Sequence, residues 1–439
     1  MKKSNASNRT FVLFLLTLVY GFNFIDRQIV GILAPFIQAD LGITNTQLGL
    51  LLGFAFGLFY TLVSIPIAYF ADRMNRVGIV TISLAVWSGF TALTGLAQNF
   101  MHIFLARMGV GVGEAGGSPP SHSIISDLYG KEKRAGALGI YAMGIPLGIM
   151  SAYFVSASLM EANPETVDWR RIFIILGLTG IALAILVRLV VREPVRGAQE
   201  GHAEKAVKRE SFRQSLKTLL TIPSWWFMCF GIATASFVTY AISGFHTKFI
   251  IFLDPDFDFR LVVILLGIIN GIAYAGGTFC GGYLADKFGK KDVRAYGWIS
   301  AIAVFIGLPL CIAGFWAPTV PVHLIAFAAM LFFLGIYIGP SFAIAQTLAP
   351  VHMRAMSTAL FFFIINIIAL GGGPTFAGWL IDMFENAGHE TVVAIKYAMS
   401  WLCVAFLLSV ISFTMSTRTL RRDWSIAEAR NEAATASEQ

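Results

Sequence analysis

The chain has 439 residues, 56% of them hydrophobic and only 13% charged. A soluble domain carries about 25% charged residues, so a soluble enzyme or a disordered chain is excluded. The net charge of +7 does not mark a nucleic-acid binder either. Lys and Arg fall between apolar blocks rather than along one polar face, as the positive-inside rule describes.

Lys2, Lys3 and Arg9 precede an apolar run that is too long for a signal-peptide core and lacks a small-residue cleavage site. It is therefore expected to stay as span 1. Twelve apolar blocks follow one another at 11–38, 47–71, 77–98, 101–126, 135–158, 171–191, 224–252, 261–285, 293–315, 321–348, 355–381 and 391–416. Each is long enough for a helix to cross about 30 Å of hydrocarbon. Barrel strands would instead show short alternating segments. An all-α membrane protein is predicted, with two six-helix bundles around a central cavity.

Loops after even-numbered spans carry Arg73 and Arg76, then Lys131, Lys133 and Arg134, then Lys205, Lys208, Arg209, Arg213 and Lys217, then Lys287, Lys290, Lys291 and Arg294. Loops after odd-numbered spans are acidic, with Glu161, Glu165, Asp168, Asp254, Asp256 and Asp258. Both termini are expected in the cytoplasm of a multi-pass inner-membrane protein. The polar stretch 192–222 divides the chain into an N-terminal bundle (1–191), a cytoplasmic linker (192–222), a C-terminal bundle (223–417) and a mobile cytoplasmic tail (418–439).

An internal repeat supports the division. After span 2 the chain reads IAYFADRMNRVG (67–78), and after span 8 it reads GGYLADKFGKKD (281–292). Asp72 matches Asp286 and Arg76 matches Lys290. This loop resembles the signature loop of the major facilitator superfamily. The narrower sequences GFNFIDRQIVGILAPFIQADLGIT in span 1 and FLARMGVGVGEAGGSPPSHSIISDLY in span 4 resemble the Spinster family, whose animal members move lysophospholipids and sphingosine-1-phosphate. That resemblance implies gating and coupling roles for Asp26, Arg27, Arg107 and Glu114. A glycine–proline pattern of antiporter span 5 is present only loosely, as Gly144-Ile145-Pro146-Leu147-Gly148.

The same four charges stand out without any family. Asp26 and Arg27 lie inside span 1, Arg107 and Glu114 inside span 4. Each costs about 2.5–3.5 kcal/mol to insert, and such residues mark function by default. Neighbours in sequence point about 100° apart on a helix, so Asp26 and Arg27 serve each other poorly. Counting about 1.5 Å per residue from the outer ends puts Arg27 level with Glu114. A cross-helix Arg27–Glu114 pair is predicted, with Asp26 available to Arg107 nearer the outer face and Glu114 as the proton-coupling carboxylate. Asp72, Arg73, Arg76, Asp286 and Lys290 are expected to form a conformational latch that holds in one state and releases in the other.

The second half lacks matching buried charges. Its cavity candidates are Phe237, Thr239, Tyr240, Asn270, Tyr337, Gln346, Phe361 and Asn366, with His246 and Lys248 nearer the outer end of span 7. One half offering charge and the other apolar surface suits an amphipathic substrate with an anionic head. Small organic anions and multidrug efflux stay open as alternatives.

Several patterns lead nowhere. Gly111-Val-Gly113-Glu-Ala-Gly116 spells a dinucleotide fingerprint but lies in a membrane span, with no strand before it. His122 and Asp127 spell HxxxxD without a second acyltransferase block. Cys229, Cys280, Cys311 and Cys403 are apolar-segment residues without metal or disulfide spacing. No enzyme, no metal and no cofactor beyond a coupling proton is expected. The expected partners are membrane lipids and an amphiphilic substrate, for a monomer that binds no nucleic acid.

Overall fold

The computed structural model describes residues 6–71, 73–159, 167–195, 218–350 and 353–438, and among these there are helices and no strands. In the first half, α1 (Ala6–Leu41) is span 1, α2 (Asn45–Leu52) with α3 (Phe54–Ala71) span 2, and α4 (Arg76–Thr94) span 3. Then α5 (Phe100–Glu114) with α6 (Ser118–Leu128) is span 4, α7 (Lys131–Ala142) with α8 (Gly144–Leu159) span 5, and α9 (Trp169–Val190) span 6. The polar residues between blocks set the starts. Asn75, Asn99 and Asp168 each accept a hydrogen bond from the backbone N–H three residues on, and Thr44 with Gln47 closes a capping box.

The second half repeats the scheme. It contains α10 (Pro223–Leu253), α11 (Phe259–Ile269), α12 (Ala275–Gly289), α13 (Ala295–Phe315), α14 (Val320–Ile336), α15 (Ile338–Thr347), α16 (Arg354–Ile365), α17 (Gly372–Asn386) and α18 (Thr391–Glu438). A π-helical segment, Asn270–Tyr274, joins α11 to α12, and another, Asn366–Gly371, joins α16 to α17.

Among the described residues the interruptions fall at matching places. Spans 2, 4 and 5 are broken in the first half, and spans 8, 10 and 11 in the second. Spans 1, 3, 6, 7, 9 and 12 run on. In four cases a proline lies just beyond the break: Pro120, Pro146, Pro340 and Pro374 each lack the N–H that would serve the carbonyl four residues back. Proline alone does not decide it, since Pro35, Pro66 and Pro309 lie in helices that continue.

Eleven helices among the described residues are long and apolar enough to cross a membrane. The twelfth block, span 4, is the one broken at Ala115–Gly117. It is also the one that carries Arg107 and Glu114.

Two compact units result. One comprises Met1–Lys205 with His246–Lys248 and Asp256–Gly271; the other comprises Ala206–Phe245, Phe249–Pro255 and Ile272–Gln439. Most of the 192–222 linker lies outside the described residues.

The expectation of a mobile tail from Arg418 is corrected. Helix α18 continues unbroken to Glu438. Its charges answer orphan groups at other helix ends. The Ser224 N–H, in the first turn of α10, donates to buried Asp423 at 2.9 Å. Arg430 Nη2 donates to the Leu348 carbonyl, just past α15, at 2.9 Å. Trp424 stacks on Tyr296 with centroids 5.8 Å apart.

Candidate functional site

Glycine brings span 4 against its neighbours. A Cβ on Gly111 would stand 2.6 Å from the Phe56 carbonyl, one on Gly113 2.6 Å from the Trp87 nitrogen, and one on Gly116 2.0 Å from Ser83 Oγ. Only glycine permits backbones this close. The approach sets the inward face of span 4 against spans 2 and 3, with Arg107 and Glu114 fully buried.

The four intramembrane charges form two pairs. Arg27 Nε donates to Glu114 Oε2 at 2.7 Å. Arg107 Nη1 donates to Asp26 Oδ1 at 3.3 Å, and the Thr91 hydroxyl donates to the other oxygen of Asp26. Two cations and two carboxylates cancel, which is the arrangement a low-dielectric interior tolerates. The pairs are not equivalent. Asp26, Arg107 and Glu114 are all nearly inaccessible, whereas the Arg27 side chain keeps 21% of its surface exposed.

Aromatic rings frame the cations. The Arg27 guanidinium lies 5.1 Å from the Phe24 ring, 4.8 Å from Phe56 and 4.5 Å from Tyr60. Arg107 lies 5.3 Å from the same Phe56 ring. Desolvated cation–π contacts of this kind contribute about 2 kcal/mol. Phe56 and Tyr60, four apart on α3, were invisible in the sequence because one apolar residue in a long apolar block resembles any other. Two buried polar atoms keep spare capacity: Glu114 Oε1 and Arg107 Nε have no hydrogen-bond partner among the described residues.

Of the latch candidates, Asp72 lies outside the described residues. Arg73 is exposed. Arg76 is buried, donating to Glu193 Oε1 at 2.7 Å, Ser123 Oγ at 2.8 Å and the Pro194 carbonyl at 2.9 Å, and pairing with Asp127. It thus ties the start of span 3 to one end of span 4 and to the residues after span 6. Asp286 and Lys290 are exposed, and neither forms an ion pair among the described residues. In that loop the ion pairs fall on Asp292, which receives Arg294 at 2.8 Å and Arg421 at 2.9 Å. These hydrogen bonds, Arg294's first and Arg421's next, hold the Asp292 carboxyl well below the usual carboxylate range. Asp292, the last residue of the repeat and two residues before Arg294, was the available signal.

The remaining candidates scatter. Tyr240 and Gln346 are exposed, and Phe237, Thr239, Asn270 and Asn366 are half-buried. Asn270 and Asn366 each open a π-helical segment, a feature frequent at functional sites. Tyr337 and Phe361 are buried. Phe361 packs edge-on to Trp225 at 5.6 Å, and the Tyr337 hydroxyl lies 3.3 Å from Ser236 Oγ. His246 and Lys248 are also buried, Lys248 donating to the Asn45 side chain.

Comparison with known proteins bears on this geometry. Residues 16–374 match the family described as Major Facilitator Superfamily. An MFS-type efflux pump of Mycolicibacterium smegmatis is 28% identical over 419 residues, 95% of this chain and 94% of that one. Protein spinster of Drosophila melanogaster is 27% identical over 401 residues, 87% of this chain and 63% of that one. A hexuronate transporter of Bacillus subtilis is 24% identical over 413 residues, 92% and 94% of the two chains. Among solved structures, a bacterial homolog of the human lysosomal transporter Spinster, in an inward-facing and unoccupied conformation, superposes with a TM-score of 0.88 at 28% identity. That match covers 96% of this chain and 99% of the other.

Proposed function

As the chain belongs to the Major Facilitator Superfamily and is a multi-pass membrane transporter rather than an enzyme, we propose that it moves an amphiphile with an anionic head, of the lysophospholipid or sphingolipid type, by alternating access coupled to protons. One observation carries this reading: Arg27 is at once the counter-ion of buried Glu114 and the single partly exposed member of the four-charge cluster.

An anionic headgroup reaching Arg27 competes with Glu114 for the same guanidinium. Taking it leaves Glu114 as a buried carboxylate without its counter-ion, and a proton taken up there removes that cost. Release of the headgroup returns Arg27 to Glu114 and expels the proton. Asp26 and Arg107 hold the second pair in place beneath the shared Phe56 ring. The basic loops argue for cytoplasmic termini in an inner membrane, and the clusters at Arg76 and Asp292 are the proposed sites where helix ends lock and release.

The test is transport of a fluorescent lysophospholipid into proteoliposomes, with and without a pH gradient. Gradient-stimulated uptake that Arg27→Ala and Glu114→Gln both abolish is the expected result. A folded wild type that leaves the lipid in place yet moves a hexuronate, whose carboxylate suits Arg27 equally well, overturns the lipid assignment. The similarity to a hexuronate carrier makes this the second reading.

A further inference from the structure

Beyond Glu114, span 4 carries a polar stripe that the ion-pair site does not use. Beyond the break that follows Glu114, Ser118, Ser121 and His122 lie on α6 at positions three and four apart, the spacing that keeps side chains on one helix face. Glu114 and Ser121 are 1% exposed, Ser118 is half-buried, and His122 at the far end of the stripe is exposed. Tyr141 of α7 bridges the stripe. Its hydroxyl lies near enough to interact with Ser118 and Ser121, and the His122 ring meets its ring edge-on at 5.1 Å. Tyr141 is itself 2% exposed and stacked on Tyr20 of α1 at 4.5 Å. Apolar packing alone does not call for two serines and a tyrosine hydroxyl at a buried helix crossing.

We propose that His122, Tyr141, Ser121 and Ser118 form the route by which a proton reaches Glu114 from the end of span 4 where Asp127 pairs with Arg76 of span 3. The inference rests on the proton-coupled reading above. Hydroxyls both donate and accept, so they pass a proton without holding a charge, and imidazole loads and unloads one near neutral pH. The His122 imidazolium gives its proton toward the Tyr141 oxygen as that hydroxyl releases its own to Ser118. The Ser118 proton then moves to Glu114 Oε1, the carboxylate oxygen without a hydrogen-bond partner among the described residues. A proton from solvent reloads His122. Two steps lack a direct hydrogen bond: His122 to Tyr141, and Ser118 to Glu114 across the break at 115–117. Each is a gap that one water bridges.

Several groups face this route. Tyr20 and Tyr141 come from α1 and α7, Tyr60 from α3 lies near enough to interact with Tyr141, and the Arg76–Asp127 pair stands beyond. Among the described residues none of them forms an ion pair with His122, so its proton is not tied up in a salt bridge.

The test needs no substrate. After a rapid pH drop, infrared difference spectroscopy of the purified full-length protein follows the carboxyl C=O band that Glu114→Gln removes. His122→Gln and Tyr141→Phe are expected to leave the amplitude of that band intact. Each should slow its appearance about tenfold, a barrier increase of roughly 1.4 kcal/mol, and added imidazole should restore the rate in His122→Gln. Wild-type rates in both variants overturn the relay and leave proton coupling standing. Absence in wild type of any band that Glu114→Gln removes overturns the relay and the coupling together. Where one variant fails to fold, the other decides.

Discussion

Arg27 reaches Glu114 through one carboxylate oxygen, Oε2 at 2.7 Å, and leaves Oε1 without a hydrogen-bond partner among the described residues. The pair is therefore bound and half open at once. Removing either member strands the other as a buried charge, at a cost of about 3–5 kcal/mol. Arg27→Ala is expected to lower the thermal unfolding temperature in detergent, and the double variant Arg27→Ala/Glu114→Gln to recover most of the loss. Additive losses in the double variant would show that the two groups are not coupled.

Gly116 holds span 4 against span 3. A methyl group there would stand 2.0 Å from Ser83 Oγ, and overpacking of this kind costs about 1–3 kcal/mol. Gly116→Ala should destabilise the protein and slow transport, and Ser83→Ala in the same chain should relieve part of both. Gly139→Ala is the control, since nothing lies within 4 Å of the added carbon. Equal behaviour of the two alanine variants would dismiss the close approach as the cause.

Asp292 gives a pH signature outside the membrane. Hydrogen bonds from Arg294 and Arg421 depress its proton affinity in the folded state relative to an ordinary carboxyl of 3.8. A depressed folded value contributes stability that is fully present above the unfolded value and disappears as pH falls through the folded one. The stability gap between wild type and Asp292→Asn should thus stay level from pH 8 to about pH 5 and narrow only in stronger acid. A gap that opens or closes near neutrality assigns the dependence elsewhere.

Asp423 supplies the acceptor for the Ser224 N–H at the buried start of α10. An unsatisfied buried donor costs about 1–3 kcal/mol. Asp423→Ala should lower the unfolding temperature measurably, while Ser425→Ala on the exposed side of the same helix should not. A tail without structural attachment would show no difference between them.

The spans were legible because lipid imposes length and apolarity on every crossing segment. The two ion pairs were legible because charge inside such a block stands out and helix rise fixes its depth. Phe56 and Tyr60 were hidden for the opposite reason: an aromatic residue in an apolar block carries no contrast. The ordered tail was misjudged because Asp423 and Arg430 look like solvent-facing charges until the helix ends they cap are known. Helix breaks were half legible, since Pro146 and Pro374 lie beyond interruptions while Pro35 does not cause one.

Those breaks have a mechanical consequence. Among the described residues, each half of the chain contains three stiff rods and three jointed ones in the same order. Its compliance is therefore concentrated at a few backbone positions, around residues 53, 115–117 and 143 in one half and 270–274, 337 and 366–371 in the other. Thermal bending and membrane tension would be absorbed at those joints, while spans 1, 3, 6, 7, 9 and 12 transmit load along their length. The buried charge cluster sits beside one joint, in span 4. A change in charge at Glu114 is thus delivered where the scaffold yields most easily.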